Sequence, residues 1–327
     1  MASKSGVSSS TSIPSAPARR RLRGTGVTLP TVGLGTAGIA GMYTSVAEQE
    51  ARAVVRRALE AGVAYLDTAP QYGHGTAERR VGAALAGVER DAFTISTKVG
   101  RLIVPRPGAD TGIFADAPPS DAVFDFSRSG ILRSLEASLK RLGLDHVDVV
   151  LIHDPDEHED QALGEAYPVL DELRAEGVVR AIGVGMNQTR VVERFVRETD
   201  VDLVLVAGRF TLLDREAACS LLPACLERDV AVVVGGVFNS GILADPTPGA
   251  RYGYVSASRE TLDRAKALAA TCERHGVSLR AAALQFPLRH PAVASVLAGA
   301  RSVRELDDCL TQLACPIPAE LWAELEA

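Results

Sequence analysis

An acid, a phenol, an ammonium and an imidazole stand at the ends of short apolar runs in this chain. The first run, Val63 to Leu66, ends at Asp67, and Tyr72 follows five residues later in a loop punctuated by Pro70 and Gly73. A phenol titrates near pH ~10 and is an inert acid or base at neutral pH without a positive neighbour. Such a neighbour, Lys98, follows the next run, Phe93 to Thr97. An ammonium beside Tyr72 is expected to favour the phenolate and lower its pKa, while Asp67 keeps the lysine charged. His153 ends the run Asp148 to Ile152 and can orient a carbonyl or hydroxyl by hydrogen bonding. A lone Lys-Asp pair reads as an ordinary ion pair, and a lone histidine as a satisfied rim residue. The four together are harder to dismiss.

Holding four such ends together takes a regular frame, and the alternation of strand and helix patterns supplies one. A hairpin is expected over Leu22 to Leu34, turning at Gly24-Thr25-Gly26. Ser45 is the expected N-cap of a helix carrying Ala53, Val54, Ala58 and Leu59 at helical spacing up to Gly62. Strands are predicted at 93–97, 147–152, 179–184, 201–206, 230–234 and 293–297. Helices at 77–85, 129–142, 161–176, 190–198, 215–227, 258–275 and 303–310 alternate with them. With Val32 to Gly35 as the first strand this makes eight strand-then-helix units, uninterrupted after residue 30 by any linker of domain-boundary character. The predicted fold is α/β, a closed parallel (β/α)8 TIM barrel forming one domain over residues 22–327, with an N-terminal hairpin and a disordered tail at 1–21. Reactive groups in such a barrel sit in the loops after the strands. Two of those loops at the carboxyl face, Gly100 to Arg128 and Asn239 to Ala257, are long. They carry Phe114, Phe124, Phe126, Tyr252 and Tyr254, which suit the walls of a site for a small polar ring.

Composition narrows the partners. A formal net charge of −6 offers no general attraction for nucleic acid or an anionic membrane, and no apolar run approaches the ~18 to 20 residues that span a bilayer. Small molecules are the expected partners. The five cysteines include no CxxC pair and are odd in number, which fits neither a zinc knuckle nor a disulfide framework and is consistent with a reducing cytoplasm. The segment His153-Asp154-Pro155-Asp156-Glu157-His158 is rich in metal-ligand types, but Pro155 prevents regular helical spacing and no second cluster joins it, so no metal is expected. Gly33-Leu34-Gly35-Thr36-Ala37-Gly38 is literally G-x-G-x-x-G. The dinucleotide fingerprint requires a helix opening at the third glycine, whereas loop residues through Met42 and Tyr43 intervene here.

With Asp67-Thr68-Ala69, Tyr72-Gly73, Lys98, Leu151-Ile152-His153 and Gly299-Ala300-Arg301 in place, the sequence resembles the aldo-keto reductases over roughly residues 22 to 315. The resemblance implies hydride transfer between a nicotinamide cofactor and a carbonyl or hydroxyl carbon, with Tyr72 donating a proton in reduction and accepting one in oxidation. It places Gly35 and Thr36 near the nicotinamide ribose and Asn187 on the carboxamide, although Met186 replaces the usual serine and Ala207 the usual glutamine. It makes Gly236, Val237, Phe238, Ser240 and Gly241 a pyrophosphate cradle, and Gly299, Arg301, Glu305 and Asp308 the eighth-strand cofactor segment. Glu305 would repel a 2′-phosphate and accept ribose hydroxyls, so NAD is favoured; Arg301 and Arg304 leave NADP open.

Phe124-Asp125-Phe126-Ser127-Arg128, the His153-Asp154-Pro155-Asp156 turn and Val237-Phe238-Asn239-Ser240-Gly241 are similar to one branch of that family. The branch contains NAD-linked aldose 1-dehydrogenases acting on L-fucose-type sugars, and pyridoxal 4-dehydrogenase. Both oxidise a cyclic hemiacetal to a lactone. Asp154 and Arg128 suit sugar hydroxyls, and Phe126 and Tyr254 suit a pyridine ring; the aldose is the preferred reading. A cofactor-sensing barrel without turnover is the alternative of another class, and the intact set of four residues argues against it.

Overall fold

The computed structural model describes residues 19–326. Eight strands pair in parallel and close into a barrel. We number them β1 Val32–Gly35, β2 Tyr65–Asp67, β3 Thr94–Val99, β4 Val149–His153, β5 Ala181–Met186, β6 Leu203–Ala207, β7 Ala231–Gly235 and β8 Val293–Gly299. Closure is made by β8, whose Val296 to Gly299 pair with Val32 to Gly35 of β1. These strands are runs of Val, Leu, Ile and small residues because both of their faces are covered. Tyr65, Leu151, Leu203, Leu205 and Val233 pack inside the barrel, while Leu66, Ile152, Ile182, Val204 and Val232 belong to the layer shared with the surrounding helices. The expected barrel is the observed one.

The N-terminal hairpin seals the amino end. Arg19–Arg21 pair antiparallel with Thr28–Pro30 around a turn in which Gly24 and Gly26 take φ of 75° and 72°. Leu22, Val27 and Leu29 enter the interior cluster, and Arg20 donates to the carbonyl of Pro291, just before β8. The ordered hairpin therefore begins before the expected tail boundary at residue 21; the rest of that expected tail, residues 1–18, lies outside the described residues.

Several local expectations need correction. The first helix, α1 Glu48–Glu60, has Ala47 at its N-cap with no side-chain cap, because the Ser45 hydroxyl instead donates to the Asp116 carboxylate on the long loop after β3. That loop contains an antiparallel hairpin, Arg101–Pro105 with Ser120–Phe124, and the long loop after β7 contains a smaller one, Arg251–Tyr252 with Val255–Ser256. The helix expected over 161–176 runs through a π-helical segment, Ala162–Ala166, before Tyr167–Ala175. Pro168, which has no N–H to give to the turn below it, accounts for that widening. The helix expected over 215–227 is broken at Ser220. Short helices at Leu279–Gln285 and Ala319–Glu326 were not expected, being too brief for periodicity to reveal. Among the described residues no helix is long and apolar enough to cross a membrane.

If the hairpin is the barrel's floor, truncating its fully buried Leu29 leaves a cavity beneath Tyr65. Leu29→Ala is expected to cost about 2–5 kcal/mol in a urea melt. A loss under ~1 kcal/mol would show that the hairpin only rests on the barrel.

Candidate active site

Three strand ends meet at one ion pair. The Asp67 carbonyl accepts from the Thr36 amide at 3.0 Å and the Thr36 hydroxyl at 2.9 Å, tying the end of β2 to β1. The Asp67 carboxylate accepts from Ser96 Oγ at 2.7 Å and from Lys98 Nζ at 2.9 and 2.8 Å, tying it to β3. Lys98 Nζ also donates to the Thr68 carbonyl at 3.0 Å and to Tyr72 Oη at 3.1 Å. Tyr72 reaches it from a tight turn in which the Gly75 amide donates to the Pro70 carbonyl at 2.7 Å and Gly73 takes φ of 59°. His153 ends β4 and meets the Tyr72 ring edge-on, with centroids 5.9 Å apart. The four residues singled out in the sequence are thus brought together.

Their electrostatics differ from expectation at one point. The Tyr72 phenol is pushed well above 10, first by burial, then by Asp67, Tyr254 and Asp154, with Arg101 opposing. The expected lowering by Lys98 is absent: Asp67, 2.8 Å from the ammonium, offsets it and itself raises the phenol, which keeps only a hydrogen bond from Lys98. Since Lys98 donates to Tyr72 Oη, the phenolic proton is free for another acceptor. Burial, Lys98 and Arg101 hold His153 well below 6.5, so its imidazole is neutral at pH 7. A neutral acid and a neutral hydrogen-bond donor side by side can bind and protonate a carbonyl oxygen.

A cavity of about 520 Å³ opens over Tyr72, Lys98 and His153. Two of the expected substrate residues, Asp154 and Tyr254, line it. Phe126 and Arg128 do not. The Asp125 amide bonds the Gly100 carbonyl at 2.9 Å, which turns Phe126 into the core against Gly100, and Arg128 opens the helix Arg128–Leu142 and pairs with Glu172. The wall residues that the sequence reading missed include Gln71, beside Tyr72, and Arg101, whose Nη2 donates to Asp154 Oδ2 at 2.7 Å. Arg101 stands three residues after Lys98, a strand-end charge that could have been weighed. Among the described residues no group of three His, Cys, Asp or Glu side chains is placed to hold a metal, His153 to His158 included.

The residues expected to hold a nicotinamide cofactor fit such a group. Asn187 lines the cavity beside Gly185, Met186 and Ala207. After β7, Gly236 takes φ of 62°, and Asn239, Ser240 and Gly241 follow at 45°, 61° and 106°. Left-handed residues of this kind turn amides outward into an anion-binding concavity. Among the described residues the Val237 and Phe238 amides have no hydrogen-bond partner, as a phosphate cradle requires. Ser240 Oγ accepts from the Tyr254 amide at 3.0 Å and ties this loop to the cavity wall. Gly35 is half-buried at the end of β1, whereas Thr36 is fully buried with its hydroxyl committed to Asp67. At the eighth strand Gly299 is open, Arg301 is held by Glu305 at 2.9 Å, and Asp308 pairs with Arg280 at 3.3 Å.

Removing one partner of the ion pair tests its weight in the fold. Asp67→Asn leaves the Lys98 charge buried and uncompensated, at an expected cost of about 3–5 kcal/mol in denaturant melts at pH 7. A near-neutral outcome would mean that water reaches Lys98.

Comparison with known proteins agrees with this architecture. The model of the aldo/keto reductase family matches residues 31–327. A D-threo-aldose 1-dehydrogenase from a Pseudomonas species is 44% identical over 309 residues, covering 92% of this chain and 94% of that protein. A pyridoxal 4-dehydrogenase from Microbacterium luteolum is 36% identical over 333 residues, covering 94% and 96%. An aldo-keto reductase from Bacillus halodurans, solved in a holo form, superposes with a TM-score of 0.75 at 26% identity, covering 94% of this chain and 95% of that one. With the barrel, the family-wide match and relatives of these identities all in agreement, the chain belongs to the aldo/keto reductase family and is an NAD(P)-dependent oxidoreductase.

Proposed function

We propose that the protein oxidises the anomeric hydroxyl of an aldose of the L-fucose or D-threo type to a lactone, with NAD as the favoured acceptor. The observation that carries this reading is the cavity wall. Gln71, His74, Arg101, Asp121, Asp154 and Asn187 give it polar groups on several sides, and among the described residues the buried Gln71 Oε1 and Arg101 Nε have no hydrogen-bond partner. A polyhydroxylated ring can pair with polar groups arranged on several sides of such a wall. Of the two aromatics expected to stack on a pyridine ring, Phe126 is buried away from the cavity and Tyr254 alone lines it. The relative named for an aldose is also more similar in sequence than the one named for pyridoxal.

When bound, the nicotinamide supplies a hydride acceptor at C4. Asn187 would hold its carboxamide, the Val237 and Phe238 amides its pyrophosphate, and Glu305 its adenosine ribose. His153 positions the anomeric hydroxyl as a neutral hydrogen-bond partner. Tyr72 Oη takes the hydroxyl proton as the C–H bond at the same carbon is broken and the lactone C=O is formed. Lys98 steadies the resulting phenol–phenolate exchange by its hydrogen bond, and Asp67 holds Lys98 in place. In reduction the same phenol donates.

A panel of L-fucose, D-arabinose, D-glucose and pyridoxal, followed as NADH absorbance, is expected to show turnover with the first two; NADH from pyridoxal alone would overturn the aldose reading. Tyr72→Phe is expected to keep cofactor binding and lose turnover by at least ~10²-fold. Because oxidation uses the phenolate and burial raises the phenol's pKa, the oxidation rate should climb with pH through the alkaline range, while reduction, which uses the phenol, should stay level until the pH nears that raised pKa. A pH-independent oxidation rate between about pH 7 and 10 would exclude Tyr72 as the base. Glu305→Gln, which frees Arg301 for a 2′-phosphate, should lower the KM for NADP by roughly tenfold and leave that for NAD within about twofold.

A further inference from the structure

We infer that Arg101 is a positioning residue of this site: it draws the Asp154 carboxylate to itself and so leaves the His153 imidazole neutral and free to meet the substrate oxygen. Asp154 directly follows His153, in a left-handed conformation with φ of 44°, and its amide donates to the Gly185 carbonyl at 3.1 Å. That backbone brings its carboxylate to within 3.5 Å of the imidazole Nε2. Asp154 Oδ2 lies 2.7 Å from Arg101 Nη2 but 3.5 Å from His153 Nε2, so the guanidinium has the charge-assisted hydrogen bond and the imidazole does not.

The guanidinium is itself held by a stack that rises from the core. Phe126 is fully buried beneath Gly100, whose φ of 99° excludes a side chain there. Phe124 stacks on Phe126 with centroids 5.7 Å apart, and the Arg101 guanidinium lies 4.3 Å from the Phe124 centroid. Ser134 Oγ donates to the Arg101 carbonyl at 3.0 Å and fixes the backbone below. Arginine rather than lysine suits the place, because one planar group must both stack and fork toward a carboxylate. Phe126, expected at the substrate, thus serves the site from underneath.

Among the described residues, His153, at 3.5 Å, is the basic side chain left beside the carboxylate once Arg101 is removed. The groups facing His153 are Tyr72 from the loop after β2, Lys98 from β3 with Asp67 behind it, Arg101 from the hairpin, Asp154 from its own strand end, and Tyr254 across the cavity. Lys98 already has a close partner in Asp67 at 2.8 Å, whereas an Asp154 carboxylate released from Arg101 would be left without one beside the imidazole. It would favour imidazolium, the form that competes with Tyr72 for the role of acid and binds the carboxylate instead of the substrate.

This inference rests on His153 meeting the substrate oxygen, as proposed above, but its test does not depend on any substrate. In 15N-histidine NMR of the unliganded full chain, with His153→Asn assigning the signal, wild-type His153 should remain neutral across about pH 5 to 8. In Arg101→Gln its midpoint should rise by about 1–3 units. In the double variant Arg101→Gln with Asp154→Asn it should fall back to the wild-type behaviour. Phe124→Ala, at a partly exposed position, should move His153 in the same direction by loosening the guanidinium, and it serves if Arg101→Gln does not fold. A His153 titration unchanged in the single variants overturns the inference, and so does a raised midpoint that persists in the double variant, which would reflect Arg101 acting through space alone. Turnover then separates the two readings: a shifted titration without oxidation of any aldose counts against the proposed substrate only, and aldose oxidation with an unshifted titration counts against Arg101 only.

Discussion

Everything at the carboxyl end of this barrel hangs from the buried pair of Lys98 and Asp67. Two charges whose side chains are 1% and 2% exposed carry a desolvation cost that only close, fully bonded geometry offsets. The chain meets that demand with Thr36 on the Asp67 carbonyl, Ser96 on its carboxylate, and Thr68 and Tyr72 on the ammonium. These partners come from β1, β2, β3 and the turn after β2. Satisfying the pair therefore fixes the relative heights of three strand ends and, through the ammonium, the position of the phenol. The literal G-x-G-x-x-G segment finds its place in this scheme: it brings Thr36 to Asp67.

The same pair explains why the reactive groups are neutral. Inside the barrel mouth each charge is matched at short range, Lys98 by Asp67 and Arg101 by Asp154. What remains at Tyr72 and His153 is chiefly desolvation, which opposes charge on either ring and moves their pKa values in opposite directions, the phenol up and the imidazole down. A site in this condition is a proton donor toward a carbonyl at neutral pH. Run toward oxidation, it needs either a higher pH or a positive charge brought into the cavity, because the ammonium nearest the phenol is already paired with Asp67.

The fold and the four-residue core were legible because both are written in local pattern. Eight apolar runs each followed by a helical period imply the barrel, and Asp67, Lys98 and His153 stand at run ends that a barrel must bring together. What stayed hidden depends on long-range packing. Phe126 reads as a cavity aromatic until the Gly100 to Asp125 hydrogen bond, across a hairpin no periodicity reveals, turns it inward. Arg101 reads as loop charge until that hairpin lays it over Phe124. The sign of the Tyr72 shift was misread for a related reason: spacing shows that Lys98 has an acid partner, but only a 2.8 Å contact shows that the partner cancels it.

The two ends of the barrel divide the physical demands between them. Of the seven non-glycine residues with left-handed backbone among the described residues, Tyr43, His74, Asp154, Asn239, Ser240 and Tyr254 lie on loops that follow β1, β2, β4 and β7 at the carboxyl end, and Asp229 lies at the other. Conformations of this kind carry strain and persist where surrounding structure over-determines them. Here the over-determination comes from below: the interior is filled by Tyr65, Leu151, Leu203 and Leu205, and the hairpin residues Leu22 and Leu29 close the floor. A solid interior transmits no slack from one end to the other. The relaxed, apolar amino end can therefore hold the strand frame rigid while the loops above it are bent to aim Asp154, the β7 amides and Tyr254 at a shared cavity.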